Sequence, residues 1–255
     1  MRRRLLVVAA AALFALAAAP LPAAANETLP FPFVDLNVRQ AQGNQEVSLS
    51  IQLLLLLTVL AIAPSILILM TCFLRISIVF DFVKRALSLQ NVPPNQVLMG
   101  LALFLTVFIM WPTLTDVYNN SLKPFGEGKM GLAEMYTNAE KPLRLFMFRQ
   151  MGNDAENIRL FMSMAKLAKP ATLADVPTWV LIPAFVLHEM TVAFRIGILL
   201  YVPFIIIDMV VASTLMSMGM IMLPPVMIST PFKLILFVLV DGWGLITMQL
   251  VRSFR

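Results

Sequence analysis

The sequence predicts an all-α membrane protein: apolar helical hairpins packed against one another in an assembly, with a small helical domain on the periplasmic side. Three observations predict it. Of 255 residues, 60% are hydrophobic and only 13% charged, against about 25% charged in a soluble domain. Long stretches, Val47 to Leu74 and Ala86 to Thr115, are free of charge or nearly so, which is the length a bilayer span needs. The charges that do interrupt the C-terminal third cannot face lipid cheaply, so that part must pack against protein or water.

The first element, residues 1–25, reads as a secretory signal peptide. Arg2, Arg3 and Arg4 form a positive start and Leu5 to Ala19 an apolar run. Pro20 and Pro22 break it, and Ala23, Ala24 and Ala25 supply a small-residue site, so cleavage falls between Ala25 and Asn26. The alternative is an uncleaved first span, for which the apolar run is short. Residues 26–46 are a polar leader on the outer side. Residues 47–115 form a transmembrane helical hairpin, with Pro64 kinking its first arm. Lys84 and Arg85 sit at its turn, and the positive-inside rule puts that turn in the cytoplasm.

Residues 116–178 mix glycine, proline and charges of both signs. Their apolar positions, Leu145, Phe148, Ile158, Phe161, Met162 and Ala165, recur at helical spacing. They predict a small helical periplasmic domain. Residues 179–255 are apolar helical hairpins interrupted by Glu189, Arg195, Asp208, Lys233 and Asp241; Arg75 is a similar intrusion in the first hairpin. These are expected to be structural charges. Glu189 and Arg195, six apart, point to different sides of a helix and need partners on other helices or subunits. Asp208 is expected to pair with an arginine, a proton-transfer role being the alternative. Lys233 and Asp241, eight apart, share a face if one helix carries both. Span counting puts the C-terminus outside, whereas Arg252 and Arg255 favour the inside.

No residues suggest an enzyme or a cofactor. The lone Cys72 offers no disulfide, one histidine and one cysteine make no zinc site, and His188 beside Glu189 lacks a nucleophile. The net charge of +5 is scattered among apolar spans, so nucleic acid is not expected. The methionines stand out: 18 in all, with Met216, Met218, Met220 and Met222 alternating. A period of two is no helix face. With Gly219 between them and Pro224 and Pro225 after, they predict a loop or broken helix at a hairpin tip. Methionine is soft and adaptable, so such loops are suited to seal a pore and mould around a passing chain; the alternative is plain apolar filling.

Several motifs resemble one family. Pro183 to Glu189 (PAFVLHE) with Ala193 to Gly197 (AFRIG), and Pro203 to Val211 (PFIIIDMVV), resemble the two signatures of the FliP family. Met218-Gly219-Met220, Leu223-Pro224-Pro225, Pro231 to Leu234 and Leu239 to Trp243 continue the pattern, and Pro94 to Leu98 with Gly100 to Thr106 is similar to the family's second apolar segment. The resemblance covers roughly Leu53 to Phe254. It implies a ring-shaped homo-oligomer, a pentamer, assembled with FliQ and FliR near FlhA, FlhB and the FliF ring of the flagellar basal body in the bacterial inner membrane. It implies a type III export gate that passes unfolded flagellar subunits, with Met216, Met218, Met220 and Met222 as the pore gasket and Gly219, Pro224 and Pro225 as loop breakers. Two departures are visible. The family commonly has three consecutive methionines after the glycine, where this chain has Ile221 in the middle. Met190 stands where leucine or isoleucine is usual, a volume-conserving change. The injectisome homologues of the SctR type share the motifs but generally lack a signal peptide. A small-solute or ion transporter would favour inverted repeats, and none is evident.

Overall fold

The computed structural model describes residues 44–152, 156–170, 172–220 and 222–254, with side chains described from residue 51 onward. The signal peptide, its cleavage site at Ala25 and Asn26, most of the leader and Ile221 lie outside the described residues. The chain divides into two units, 1–53 and 54–255; the described part of the first is helical.

The described residues are helical, with no strand among them. Helix α1 runs Asn44–Leu69, α2 Phe73–Ala86 and α3 Asn95–Val117. A π-helical turn, Tyr118–Leu122, and the short α4, Lys123–Gly126, extend α3. Then come α5, Leu132–Met151, and α6, Glu156–Met164. The last three are α7, Thr178–Ser217, α8, Pro225–Leu239, and α9, Gly242–Arg252. Among the described residues, three stretches are long and apolar enough to cross a membrane: Ile51–Leu69, Asn95–Gly126 and Thr178–Ser217. The bent pair α8 and α9, at 63° to each other, makes a fourth if taken as one span.

The first hairpin differs in detail from the expectation. Helix α1 continues through Pro64, and a break that was not expected falls at Met70–Cys72. Proline costs a span little when only one backbone bond is lost. Thr71 supplies the break: its hydroxyl donates to the Ile68 carbonyl at 2.7 Å and accepts from the Phe73 amide at 3.3 Å.

The core lies where α2 packs along α7, with α3, α5 and α6 around them. Ile76, Val79, Phe80 and Val83 of α2 meet Val180, Leu181, Ala184 and Phe185 of α7 in one buried cluster. Phe82 stacks edge-on against Phe194 at 5.2 Å. A Cβ on Gly197 would come within 2.5 Å of the Phe82 ring, so the helices approach as closely as glycine permits.

Residues 116–178 are helical where described, and of the predicted apolar stripe Ile158 and Met162 are buried, Phe148, Phe161 and Ala165 are half-buried, and Leu145 departs. Leu145 is exposed, while Phe146, Met147 and Met151 are buried against the same core as Phe185. Helix α5 ends at Gly152, where φ is +53°. Two helices, α5 and α6, carry the apolar positions into the core. Arg144 fastens the end of this segment, donating to the carbonyls of Leu173 and Val176 at 3.2 and 2.7 Å and to the Thr178 hydroxyl.

Helix α7 is the spine. At 1.5 Å per residue its 40 residues reach about 60 Å, twice the roughly 30 Å hydrocarbon core of a bilayer. Part of it must therefore project beyond lipid if it crosses one.

Candidate functional site

The methionine segment forms a loop at the tip of the α7–α8 hairpin. Helix α7 ends in a Schellman motif: Gly219 donates to the Met216 carbonyl at 3.0 Å, and Met220 to that of Leu215 at 3.0 Å. Gly219 takes φ +75°, which L-residues rarely adopt. Pro224 then precedes α8 and Pro225 occupies its first position, where a missing amide costs nothing. Glycine stops one helix and the prolines start the next, as the loop reading expected. Met216 closes α7, while Met218, Met220 and Met222 lie on the loop. All four are exposed, Met222 to 97%. Four soft apolar side chains thus stand free at one end of a rigid hairpin.

The base of that hairpin is braced by charge. Asp208 on α7 accepts from Lys233 Nζ on α8 at 2.6 Å through one oxygen and from the Ser229 hydroxyl at 2.5 Å through the other. Lys233 is buried, and its ammonium also donates to Ser88 Oγ at 2.9 Å and to the Ala86 carbonyl at 3.2 Å. All three of its protons are used. The Ala86 carbonyl belongs to the last turn of α2, where a cation is favoured. The partner of Asp208 is thus a lysine, not the expected arginine.

A second brace lies at the other end of α2. Arg75 and Glu189, 2% and 0% exposed, form a two-pronged pair: Nε to Oε2 at 2.8 Å and Nη2 to Oε1. Arg75 Nη1 also donates to the Ser253 carbonyl and hydroxyl at 3.0 and 3.1 Å, and the guanidinium lies 3.9 Å from the centre of the Phe254 ring. Gln150 donates to the Phe254 carbonyl at 3.0 Å. One arginine thereby ties α2, α7 and the C-terminal turn together. Glu189 does find its partner on another helix, as its spacing from Arg195 required.

Arg195 and Asp241 are not brought into either brace. Both are exposed, and neither forms an ion pair among the described residues. The shared face expected for Lys233 and Asp241 does not exist. The helix breaks after Leu239, and Asp241 adopts a left-handed backbone, φ +49°, before α9. The Asp241-Gly242 pair is itself a turn signal that the eight-residue spacing overrode.

Ser88, Ser229, Gln150, Ser253 and Phe254 escaped the sequence reading. Only Ser229, one helical turn before Lys233, carried a local signal. Among the described residues, no three histidine, cysteine, aspartate or glutamate side chains gather as a metal site.

Comparison with known proteins agrees with the motifs. The profile of the FliP family matches residues 56–250. The flagellar biosynthetic protein FliP of Treponema denticola is 68% identical over 195 residues, covering 76% of this chain and 72% of the relative. That of Borreliella burgdorferi is 58% identical over 196 residues, covering 76% and 77%. That of Bacillus subtilis is 55% identical over 194 residues, covering 76% and 87%.

Proposed function

The chain belongs to the FliP family, and from that premise we propose that it is the core pore subunit of the flagellar type III protein-export gate. It is a membrane-embedded flagellar protein, and the family is no known enzyme family. In this reading several copies, five by the family pattern, surround a channel that passes unfolded flagellar subunits across the inner membrane. FliQ and FliR complete the gate, and FlhA, FlhB and the FliF ring surround it.

One observation carries the reading: four exposed methionines at the tip of a hairpin whose base is braced by the Asp208–Lys233 ion pair. A seal must exclude ions when closed and still admit chains of differing side chains. Apolar side chains repel hydrated ions, and unbranched thioethers re-pack at low cost. A narrow ring of such loops gates by dewetting. The braces at Asp208–Lys233 and Arg75–Glu189 keep the stalk fixed, so motion is confined to the tip.

The test replaces Met218, Met220 and Met222 together with alanine. The variant should assemble at wild-type level, admit ions that the wild type excludes, and change flagellar secretion. Unchanged ion leakage in an assembled variant would remove the gasket role.

A further inference from the structure

We propose that Arg195 of one subunit pairs with Asp241 of the next, so that each contact around the ring is fastened by one intersubunit ion pair. This rests on the ring assembly proposed above.

The starting point is charge balance in the apolar C-terminal third. Five charged side chains interrupt residues 179–241: Glu189, Arg195, Asp208, Lys233 and Asp241. Glu189 is taken by Arg75, and Asp208 by Lys233. One cation and one anion are left, both exposed on apolar surface. An isolated charge on such a surface is costly unless water or an opposite charge meets it.

The two leftovers cannot easily serve each other within one subunit. Arg195 lies nine residues before Phe204, which at 100° per residue is a half-turn offset. Phe204 faces α8, its ring 6.4 Å from that of Phe237. Arg195 therefore points to the opposite side of α7, away from α8. Its neighbours there, Ile198, Leu199, Val202, Ile206 and Met209, are all exposed. This is one continuous apolar face bearing a single charge.

They do lie at nearly the same height. The hairpin register is set by two facing pairs, Phe204 with Phe237 and Asp208 with Lys233. Four residues forward on α7 match four back on α8. Continued to Leu239, the end of α8, that register reaches Val202, and Asp241, two residues further on, lies at about the level of Leu200. Arg195 is five residues from there, roughly 7.5 Å along the axis, within the reach of an arginine side chain. A closed ring relates its subunits by rotation, which preserves height when the axis runs along the helices. The contact is head-to-tail, so each subunit presents Arg195 on one flank and the exposed face of α8, with Phe232, Ile235 and Leu239, on the other. Asp241 ends that second flank. Its carboxylate lies over the first turn of α9, filling the space a side chain at Gly244 would need. The occupant of the α7 face is thus a second copy of this chain, selected by opposite charge at matching height on two apolar faces.

The experiment uses the full chain purified in detergent from membranes. With Cys72, the chain's single cysteine, changed to serine, the pair Arg195→Cys and Asp241→Cys should give oxidised dimers and higher multimers. Arg195→Glu alone and Asp241→Arg alone should each lower the assembled fraction about tenfold. The double reversal should restore it to within about twofold. Multimers that persist without 195–241 crosslinks, or a double reversal that rescues nothing, would overturn the pairing and leave the ring standing. A wild-type chain that stays monomeric would overturn both.

Discussion

The base and the tip of the α7–α8 hairpin contrast in every physical respect. At the base, Lys233 is buried and all its donors are satisfied by Asp208, Ser88 and Ala86. At the tip, Met218, Met220 and Met222 make an exposed loop. Among the described residues no buried side-chain nitrogen or oxygen lacks a partner, so the polar atoms that define geometry are all committed. Specificity of structure sits in charge, and adaptability sits in methionine. Substitutions at the base should therefore act on folding, and those at the tip on the proposed gating with little effect on folding.

The sharpest way to break this contrast is Glu189→Ala. It leaves the Arg75 guanidinium buried beside Phe254 without its anion. Stranding one partner of a buried pair costs about 3–5 kcal/mol. Denaturant or thermal unfolding in detergent should show that loss, together with easier proteolysis near Phe254, because Arg75 also holds the Ser253 carbonyl. A loss under about 1 kcal/mol would mean that the brace does not organise the fold.

Lys233→Met should cost less, about 2–3 kcal/mol. Methionine fits the volume of the stem. Asp208 keeps its bond from Ser229, and its side chain is 30% exposed, so water can replace the ammonium. The same unfolding measurement should rank this variant below Glu189→Ala. The reverse order would shift the structural weight to the hairpin base.

This ranking also shows what could be read in the sequence. Composition and charge-free runs specify the helices. Period-two methionines with Gly219 and the prolines specify the loop, because each of those residues acts within its own turn of chain. Charges in apolar helices announce that partners exist, but pairing is tertiary. Arg75 and Glu189 lie 114 positions apart, and nothing local joins them. Asp208 chooses Lys233 over an arginine because antiparallel packing fixes the register, which spacing along one helix cannot reveal. The break at Asp241 was legible in its following glycine, yet a helical period was extended across it. At Asp241 a 3.6-residue period was carried through a residue whose positive φ ends the helix.

The smallest effect belongs to the tip. Gly219 has φ +75°, and nothing lies within 4 Å of where its Cβ would stand. Alanine there meets no neighbouring atom but is strained by the left-handed backbone itself, so Gly219→Ala should cost about 1–2 kcal/mol. Asparagine tolerates the left-handed region better, so Gly219→Asn should fall between glycine and alanine. Thermal midpoints of the three proteins in one detergent give the order. If sterics set the cost, the larger asparagine would be the worse of the two. The order glycine, asparagine, alanine isolates backbone conformation as the whole of Gly219's contribution, and it marks the tip as a place where shape is specified by one dihedral angle while the base is specified by paired charge.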